Sequence, residues 1–290
     1  MRVIAFYSFF DISNPKKLKE EINLFFLLKK IKGSILVSKE GLNGTITVTQ
    51  KKEKNTINYL ISLGVLNENI KISNYSGQGI FKEFKIKLKN EIVTSDFGLN
   101  ISEIKQSKFI QTNDWDKFIN KKDVKIIDTR NNYEYKIGHF KNAINPKIDT
   151  FKEFNEFIKT NKDQFQNKKV AIYCTGGIRC EKAGPLMERY GIDTYQLKGG
   201  ILKYFEQTNS KLWNGECFVF DYRVSLNKKL SKGTSKLCYG CNTPLTIKET
   251  KSPKYEKGFT CPVCFDNMTE KKRRSLKDKR ENWKKVFEFF

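Results

Sequence analysis

The chain opens on an apolar, β-prone run from Val3 to Phe9 and turns polar up to Asn14-Pro15, where a helix is expected to start. Proline is tolerated there because the first helical N–H groups lack intrahelical partners. Leu18, Ile22, Phe25 and Phe26 follow at helical spacing. Two β-prone runs, Ser34 to Val37 and Thr45 to Thr49, flank the turn-forming cluster Glu40 to Gly44, which predicts a hairpin. A second helix is expected from about Lys54 to Leu63, with further strands at Ile70 to Ser73 and Phe84 to Leu88. The order β-α-β-β-α-β predicts a ferredoxin- or acylphosphatase-like α+β domain over residues 1–95. Lys39 to Gly44 reads as a plain hairpin turn, with phosphate contact by its N–H groups as the other reading.

Residues 96–120 read as a connector with a short helix, Asn113 to Asn120, capped by Asn113 or Asp114. Strand and helix patterns then alternate over 121–215. Val124 to Ile127, Val170 to Tyr173 and Thr194 to Leu197 are strands; Phe151 to Thr160, Glu181 to Tyr190 and Ile201 to Gln207 are helices. Such alternation predicts a parallel sheet covered on both faces, with chemistry beyond the carboxyl ends of its strands. From 208 the pattern changes, and 216–290 is expected to form a C-terminal zinc-knuckle module with a basic helix. Trp213 to Val224 is one aromatic, β-prone run, and 271–285 reads as a basic helix carrying Trp283, with Phe287 beyond it. Basic residues interleaved with aromatics suit RNA, and a solvated face with an apolar stripe fits equally.

The chemistry concentrates at residues 171–183. An apolar strand leads into Cys174, followed by Thr175, Gly176, Gly177, Ile178 and Arg179, then Cys180 and a helix. A cysteine above a helix N-terminus faces unpaired N–H groups and the positive end of the helix dipole, which favour the thiolate. The two glycines let the backbone curl toward the sulfur, and Arg179 adds positive charge. Cys174 is therefore the candidate nucleophile. Cys180 is a secondary candidate that can resolve an oxidised Cys174, although a packing role suits it better. Asp128 and Arg130 end a neighbouring strand, where Asp128 is expected to cap the local loop. The spacing from Cys174 to Arg179 is C-x4-R. Phosphatases on this kind of fold use the larger C-x5-R cradle, so the shorter loop argues against phosphate chemistry.

A second set of cysteines, Cys238-x2-Cys241 and Cys261-x2-Cys264, has the spacing of two knuckles that bring four thiolates to one zinc. Four protein ligands close the shell, so the role is structural. The single histidine, His139, excludes multi-histidine metal sites, and no flavin, haem or nucleotide fingerprint is present. No run approaches the roughly 20 apolar residues of a membrane span, and the N-terminal run is too short for a signal peptide. A cytoplasmic chain with no membrane partner is expected, in which seven cysteines serve metal or catalysis. The net charge of +23 draws polyanions such as nucleic acid, although it also fits a Lys- and Asn-rich bias along the whole chain.

Ile127-Asp-Thr-Arg-Asn-Asn-Tyr-Glu134 and Cys174-Thr-Gly-Gly-Ile-Arg179 resemble a rhodanese domain, whose family carries a persulfide on the residue matching Cys174. Gln196-Leu-Lys-Gly-Gly-Ile-Leu-Lys-Tyr204, Gly215-Glu-Cys-Phe-Val-Phe-Asp221, Ser38-Lys-Glu-Gly-Leu-Asn-Gly-Thr-Ile46 and the paired knuckles extend the likeness. They resemble the bacterial tRNA uridine hydroxylases with a central rhodanese domain, over roughly residues 3–270. His139, Asn142 and Tyr222 depart from the usual pattern in loop detail. The resemblance implies oxygen-dependent conversion of the wobble uridine, position 34 of tRNA, to 5-hydroxyuridine. It implies O2 as co-substrate, the tRNA anticodon loop as partner and an electron donor that the sequence does not name. The charge and the family pattern together suggest that the N-terminal domain grips the tRNA, with Lys39, Lys51 and Lys52 as contacts. A sulfurtransferase with a persulfide on Cys174 is the alternative, and a zinc-stabilised RNA-binding protein is a third reading that the intact Cys174 loop disfavours.

Overall fold

The computed structural model describes residues 1–27, 29, 31–75, 80–104 and 107–284, with side chains in the last helix only as far as residue 278. Trp283 and Phe287, expected as RNA contacts, lie outside the residues whose side chains are described.

The architecture is mixed α/β. Its first unit runs β1 (Arg2–Phe9), α1 (Pro15–Leu27), β2 (Lys32–Ser38), β3 (Gly41–Val48), α2 (Gln50–Ser62), β4 (Ile70–Asn74) and β5 (Phe84–Leu88). Asn14 Oδ1 accepts the Lys17 N–H at 3.0 Å, which caps α1. The sheet order is β4-β1-β3-β2-β5. The first four strands form the expected antiparallel sandwich, and β5 adds a fifth strand parallel to β2. The turn is tighter than expected, because Gly41 to Gly44 belong to β3 and only Lys39 and Glu40 lie between the strands. Strand side chains alternate between faces. Ile4 and Phe6 of β1 pack with Ile22, Phe26 and Leu60 of the two helices. Tyr7 therefore points to the opposite face, as does Lys71, which lies opposite Ala5 in register.

The second unit runs α3 (Ile101–Ile104), β6 (Phe109–Ile110), α4 (Thr112–Ile119), β7 (Val124–Asp128), α5 (Asn132–Ile137), β8 (Gly138–Phe140), α6 (Phe154–Asn161), β9 (Lys169–Tyr173), α7 (Ile178–Arg189), β10 (Asp193–Leu197) and α8 (Gly200–Gln207). Its sheet, β6-β10-β9-β7, is parallel throughout. Val170 and Ile172 pack on one face with α6 and α7, and Ala171 and Tyr173 pack on the other with α4 and α8. Two-sided burial explains why β9 reads as a continuous apolar run. The stretch expected as a connector supplies both β6 and α4, and Trp115 of α4 is fully buried under the sheet. The N-cap of α4 is Gln111, not Asn113 or Asp114, because the helix starts at Thr112.

The aromatic run 213–224 is not one strand. β11 (Trp213–Gly215) pairs with β8, and β12 (Cys217–Phe218) pairs with β13 (Ser225–Leu226) across a turn. Within that turn Asp221 takes the Arg223 backbone N–H and its guanidinium, a local ion pair that competes with the sheet ladder. A small β14 (Lys236–Leu237) and β15 (Pro244–Leu245) hairpin follows, and then α9 (Glu270–Lys284). No helix of the described residues is long and apolar enough to cross a membrane.

Candidate active site and metal centre

Cys174 stands immediately after β9, and α7 begins four residues later. Its side chain is 1% exposed. The Gly177 N–H donates to Cys174 Sγ at 3.1 Å. Gly177 is the N-cap of α7 at φ +108°, and a side chain there would meet the Tyr7 hydroxyl at 2.6 Å. Burial pushes the Cys174 thiol up. A hydrogen bond from the Cys180 thiol, the Arg179 charge and the backbone N–H groups of Cys180 and Arg179 outweigh that and pull it down to about 5. The start of α7 thus turns backbone N–H groups toward one sulfur, with Gly177 giving the direct hydrogen bond and the Cys180 N–H also held by the Gly177 carbonyl at 2.9 Å.

The other predicted residues divide into two groups. Arg179 lies close, 7% exposed, and donates a two-pronged fork to Glu134 at 2.6 and 2.8 Å. Glu134 is fully buried and also sits at the third position of α5, where it accepts the Asn131 N–H at 3.2 Å. Burial would raise this carboxyl, but the Arg179 charge and hydrogen bonds hold it below its ordinary value. Thr175 places Oγ1 3.5 Å from the Phe218 carbonyl oxygen. Cys180 is fully buried against Thr129, with Sγ 3.6 Å from Thr129 Oγ1. Burial and the neighbouring Cys174 push its thiol well up, which keeps it protonated.

Asp128 and Arg130 belong to the second group. Both are fully buried and pair at 2.6 Å, and Arg130 Nη2 also donates to the Gly138 carbonyl at 2.6 Å. The Arg130 guanidinium faces the rings of Tyr173 and Trp213, so the pair ties the strand end to β8 and β11. His139 stacks on Tyr135 with ring centroids 4.0 Å apart and Nδ1 3.0 Å from the Tyr135 carbonyl oxygen.

Three contributions escape a reading of the local motif. The first is Gly199-Gly200, which lacks the spacing of a phosphate fingerprint. Gly200, at φ +69°, lies so close to the loop that a side chain would meet the Cys174 carbonyl oxygen at 2.6 Å. The first N–H groups of α8, from Ile201 and Leu202, donate to the Cys174 and Thr175 carbonyls at 3.0 and 3.1 Å. The second is the N-terminal sheet. Tyr7 OH donates to Glu181 at 3.1 Å, and Lys71 Nζ donates to the Gly176 carbonyl at 2.5 Å. Burial raises Glu181 to about 7 despite the Tyr7 hydrogen bond. The third is Glu40, from the hairpin weighed as a phosphate cradle. With Glu91 it clamps the buried Lys182 ammonium of α7, at 2.9 and 2.7 Å. Glu134, Tyr7, Lys71 and Glu40 are remote in sequence from Cys174; Glu134 and Glu40 fall within the stretches that carry the family resemblance, whereas Tyr7 and Lys71 fall in none. Of the lysines expected to meet tRNA, Lys39 and Lys51 are exposed, while Lys52 Nζ donates to the Lys29 carbonyl at 2.6 Å.

A cleft of about 690 Å³ opens between the three parts of the chain, lined among others by Lys82, Lys85, Tyr133, Phe218, Phe220 and Tyr222 and by no residue of the Cys174 loop. The Phe220 ring is 6.0 Å from the Arg179 guanidinium and is 69% exposed.

The second centre is the four-cysteine cluster. The sulfurs of Cys238, Cys241, Cys261 and Cys264 all lie within 4.8 Å of one another. Neighbouring pairs are 3.6 to 3.8 Å apart. Four sulfurs about 2.3 Å from one metal ion in a tetrahedron lie about 3.8 Å from each other, so the set fits a tetrahedral ion. Backbone N–H groups of Gly240 and Cys241 point at Cys238, and those of Val263 and Cys264 at Cys261. Among the described residues Leu245, Tyr255 and Met268 complete the cluster, in which the cysteines are the larger part.

Residues 1–92 match the family model for the UPF0176 acylphosphatase like domain, and residues 112–207 match that for the Rhodanese-like domain. A rhodanese-like domain protein from Staphylococcus aureus is 30% identical over 33% of this chain and 90% of its own, with a TM-score of 0.28. A single-domain sulfurtransferase from Saccharomyces cerevisiae is 20% identical over 37% of this chain and 94% of its own, with a TM-score of 0.30. The reduced CoADR-RHD of Bacillus anthracis is 13% identical over 70% of this chain and 34% of its own, with a TM-score of 0.34. With the acylphosphatase-like domain placed ahead of the rhodanese domain, the chain belongs to the UPF0176 family, whose architecture is that of the tRNA uridine(34) hydroxylases.

Proposed function

We propose that this protein hydroxylates the wobble uridine of tRNA at C5, in the cytoplasm, with Cys174 as its reactive group. The observation that carries the reading is a single buried thiol held as thiolate, in a loop that both the rhodanese sheet and the N-terminal domain shape. Uridine C5 is a weak nucleophile. Addition of the Cys174 thiolate at C6 forms a C–S bond and moves the ring π electrons onto the C5–C4=O system. C5 then attacks an electrophilic oxygen derived from O2. Loss of the C5 proton and departure of the thiolate restore the ring. Overall, one oxygen atom enters the C5–H bond and the other leaves as water, with two electrons from an external reductant. Arg179, braced by Glu134, faces the anionic states.

The wobble base lies in an unpaired loop, so its entry into a pocket costs little compared with flipping from a duplex. The cleft at Phe220, whose ring lies 6.0 Å from the Arg179 guanidinium, supports an RNA substrate. Its exposed Phe220 and Tyr222 offer faces for base stacking, and Lys82 and Lys85 offer charge to the backbone. For the four-cysteine cluster the donor set and spacing support zinc, with all four positions taken by Cys238, Cys241, Cys261 and Cys264 and a purely structural role. Purified protein incubated with tRNA lacking the modification should yield 5-hydroxyuridine under oxygen and none without it, by mass spectrometry of nucleosides. Cys174→Ala should yield none while keeping the circular-dichroism spectrum of the folded chain; product at the normal level would sink the reading.

A loop closed around one sulfur also fits a persulfide carrier, the second reading. Transfer of sulfane sulfur from Cys174 to an acceptor, with no oxygen-dependent product, would favour it.

A further inference from the structure

One peptide unit of the Cys174 loop is held from both sides. The Gly177 N–H donates to Cys174 Sγ at 3.1 Å, and the carbonyl of the same unit, on Gly176, accepts from Lys71 Nζ at 2.5 Å. In a planar trans peptide these two groups point in opposite directions. An ammonium that captures the oxygen on the outer side therefore fixes the N–H toward the sulfur. Glycines stand on both sides of this unit, so the chain itself opposes a flip less here than anywhere else in the loop. A half-turn flip would take the donor away and set a carbonyl oxygen, with its partial negative charge, against the thiolate. Lys71 also polarises the peptide it holds, which strengthens the N–H as a donor.

Lys71 comes from the other domain. It projects from β4 on the sheet face that carries Tyr7, and its ammonium lies 5.4 Å from the Tyr7 ring centroid. Burial lowers it to about 8, and the nearby Cys174 charge pulls the other way. The sheet is pressed onto the start of α7 by Tyr7 with Glu181 and by Glu40 and Glu91 with Lys182. Lys198 also reaches Glu68 at 2.7 Å. The charged and titratable groups around the sulfur are thus Arg179, Cys180 and Glu181 from α7, with Tyr7 and Lys71 from the N-terminal sheet. Lys198 and Lys203 act on Lys71, and Glu134 acts through Arg179.

We propose that Lys71 is a positioning residue of the site: by holding the Gly176 carbonyl it keeps the Gly177 N–H on the Cys174 sulfur, so that docking of the N-terminal domain sets the state of the nucleophile. The proposal rests on Cys174 being the reactive group of the function above. Its test reads thiol chemistry without tRNA, so its failure is distinguishable from failure of the hydroxylase reading.

The experiment is the pH profile of Cys174 alkylation by iodoacetamide, followed on the Cys174 peptide by mass spectrometry in the full chain. Lys71→Met should move the midpoint up by about one unit. Lys71→Arg, which keeps the charge and a donor, should restore most of the shift. Glu68→Gln breaks another contact between the same domains without touching the loop, and should leave the midpoint in place. An unmoved midpoint in folded Lys71→Met overturns the proposal, as does an equal shift in Glu68→Gln. The unmutated protein gives an independent check by NMR. The Gly177 amide and the Lys71 ammonium should both report the Cys174 titration; a Lys71 signal blind to it overturns the proposal even where Lys71→Met fails to fold.

Discussion

The loop at Cys174 and the cluster at Cys238, Cys241, Cys261 and Cys264 use the same side chain to opposite ends. At the loop one sulfur faces backbone N–H groups, a guanidinium and a protonated thiol. Its negative charge is met by the protein alone, and the sulfur keeps its lone pairs for chemistry. At the cluster four sulfurs face chiefly one another, 3.6 to 3.8 Å apart. Four thiolates so close would repel strongly, and a cation among them would remove that repulsion, so the cluster is arranged as one that could bind a metal. The number and sign of the groups facing a thiol, rather than its burial, decide whether it reacts or binds.

The comparison breaks most visibly if the two centres respond alike to loss of one sulfur. Cys174→Ala should abolish the proposed product and leave the fold intact, because the loop is also held through α8 and Lys71. Cys261→Ser should do the reverse. With few apolar contacts of its own, the module around β14 and β15 should lose its bound metal and become protease-sensitive, whereas the Cys174 alkylation midpoint stays near its original value. Metal analysis, limited proteolysis and alkylation read these outcomes together. A shift of the Cys174 midpoint in Cys261→Ser would show that the centres are coupled.

The two centres were not equally legible in the sequence. Both knuckles are local, and their spacing alone predicts four sulfurs around one point. The Cys174 motif is also local, so the strand, the turn and the helix start could be read from Val170 to Tyr190. Its surroundings could not, because they come from distant segments brought together by packing of whole domains. Glu134 lies on α5, Gly200 on α8, and Tyr7 and Lys71 on the N-terminal sheet. Asp128 and Arg130 were legible in part. Their place at a strand end predicts a structural role with Asp128 capping the local loop, and Asp128 Oδ1 takes the Arg130 N–H at 2.9 Å, but nothing local foretells that the Arg130 side chain turns inward to Gly138 and to the rings of Tyr173 and Trp213. The short strands after 213 were hidden because aromatic β-propensity cannot reveal a turn pinned by the Asp221–Arg223 pair.

A middle-sized effect probes how the loop's cation is held. Arg179 is buried with its fork filled by Glu134, so Glu134→Gln leaves a buried guanidinium without its counter-charge. Breaking such a pair from one side costs about 3 kcal/mol. Denaturant unfolding should record that loss with an unchanged slope. No four-cysteine ligand depends on Glu134, so metal content should stay the same. A stability change under about 0.5 kcal/mol, the range of ordinary surface substitutions, would mean that Arg179 finds another partner.

The smallest effect is a slope in stability against pH, and its sign separates the loop from its neighbours. Cys174 is lowered to about 5 in the fold from an ordinary 9.0, so between these values the unfolded chain binds one more proton. Stability from this group is therefore present at high pH and is lost as pH falls through about 5, with a slope of about 1.4 kcal/mol per pH unit in between. Glu181 acts oppositely. It is raised from 4.5 to about 7, so its contribution favours the folded chain at low pH and declines as pH rises through that window. Lys71, lowered from 10.5 to about 8, adds a rising contribution above pH 8. Between pH 7 and 8 the Cys174 term stands nearly alone, and unfolding free energy should climb by about 1.4 kcal/mol. The double variant Cys174→Ala with Lys71→Met removes both rising contributions, and its stability should no longer climb across that interval, keeping only the slight decline from Glu181. A slope that survives in the double variant would place the missing proton on a group other than the loop thiol.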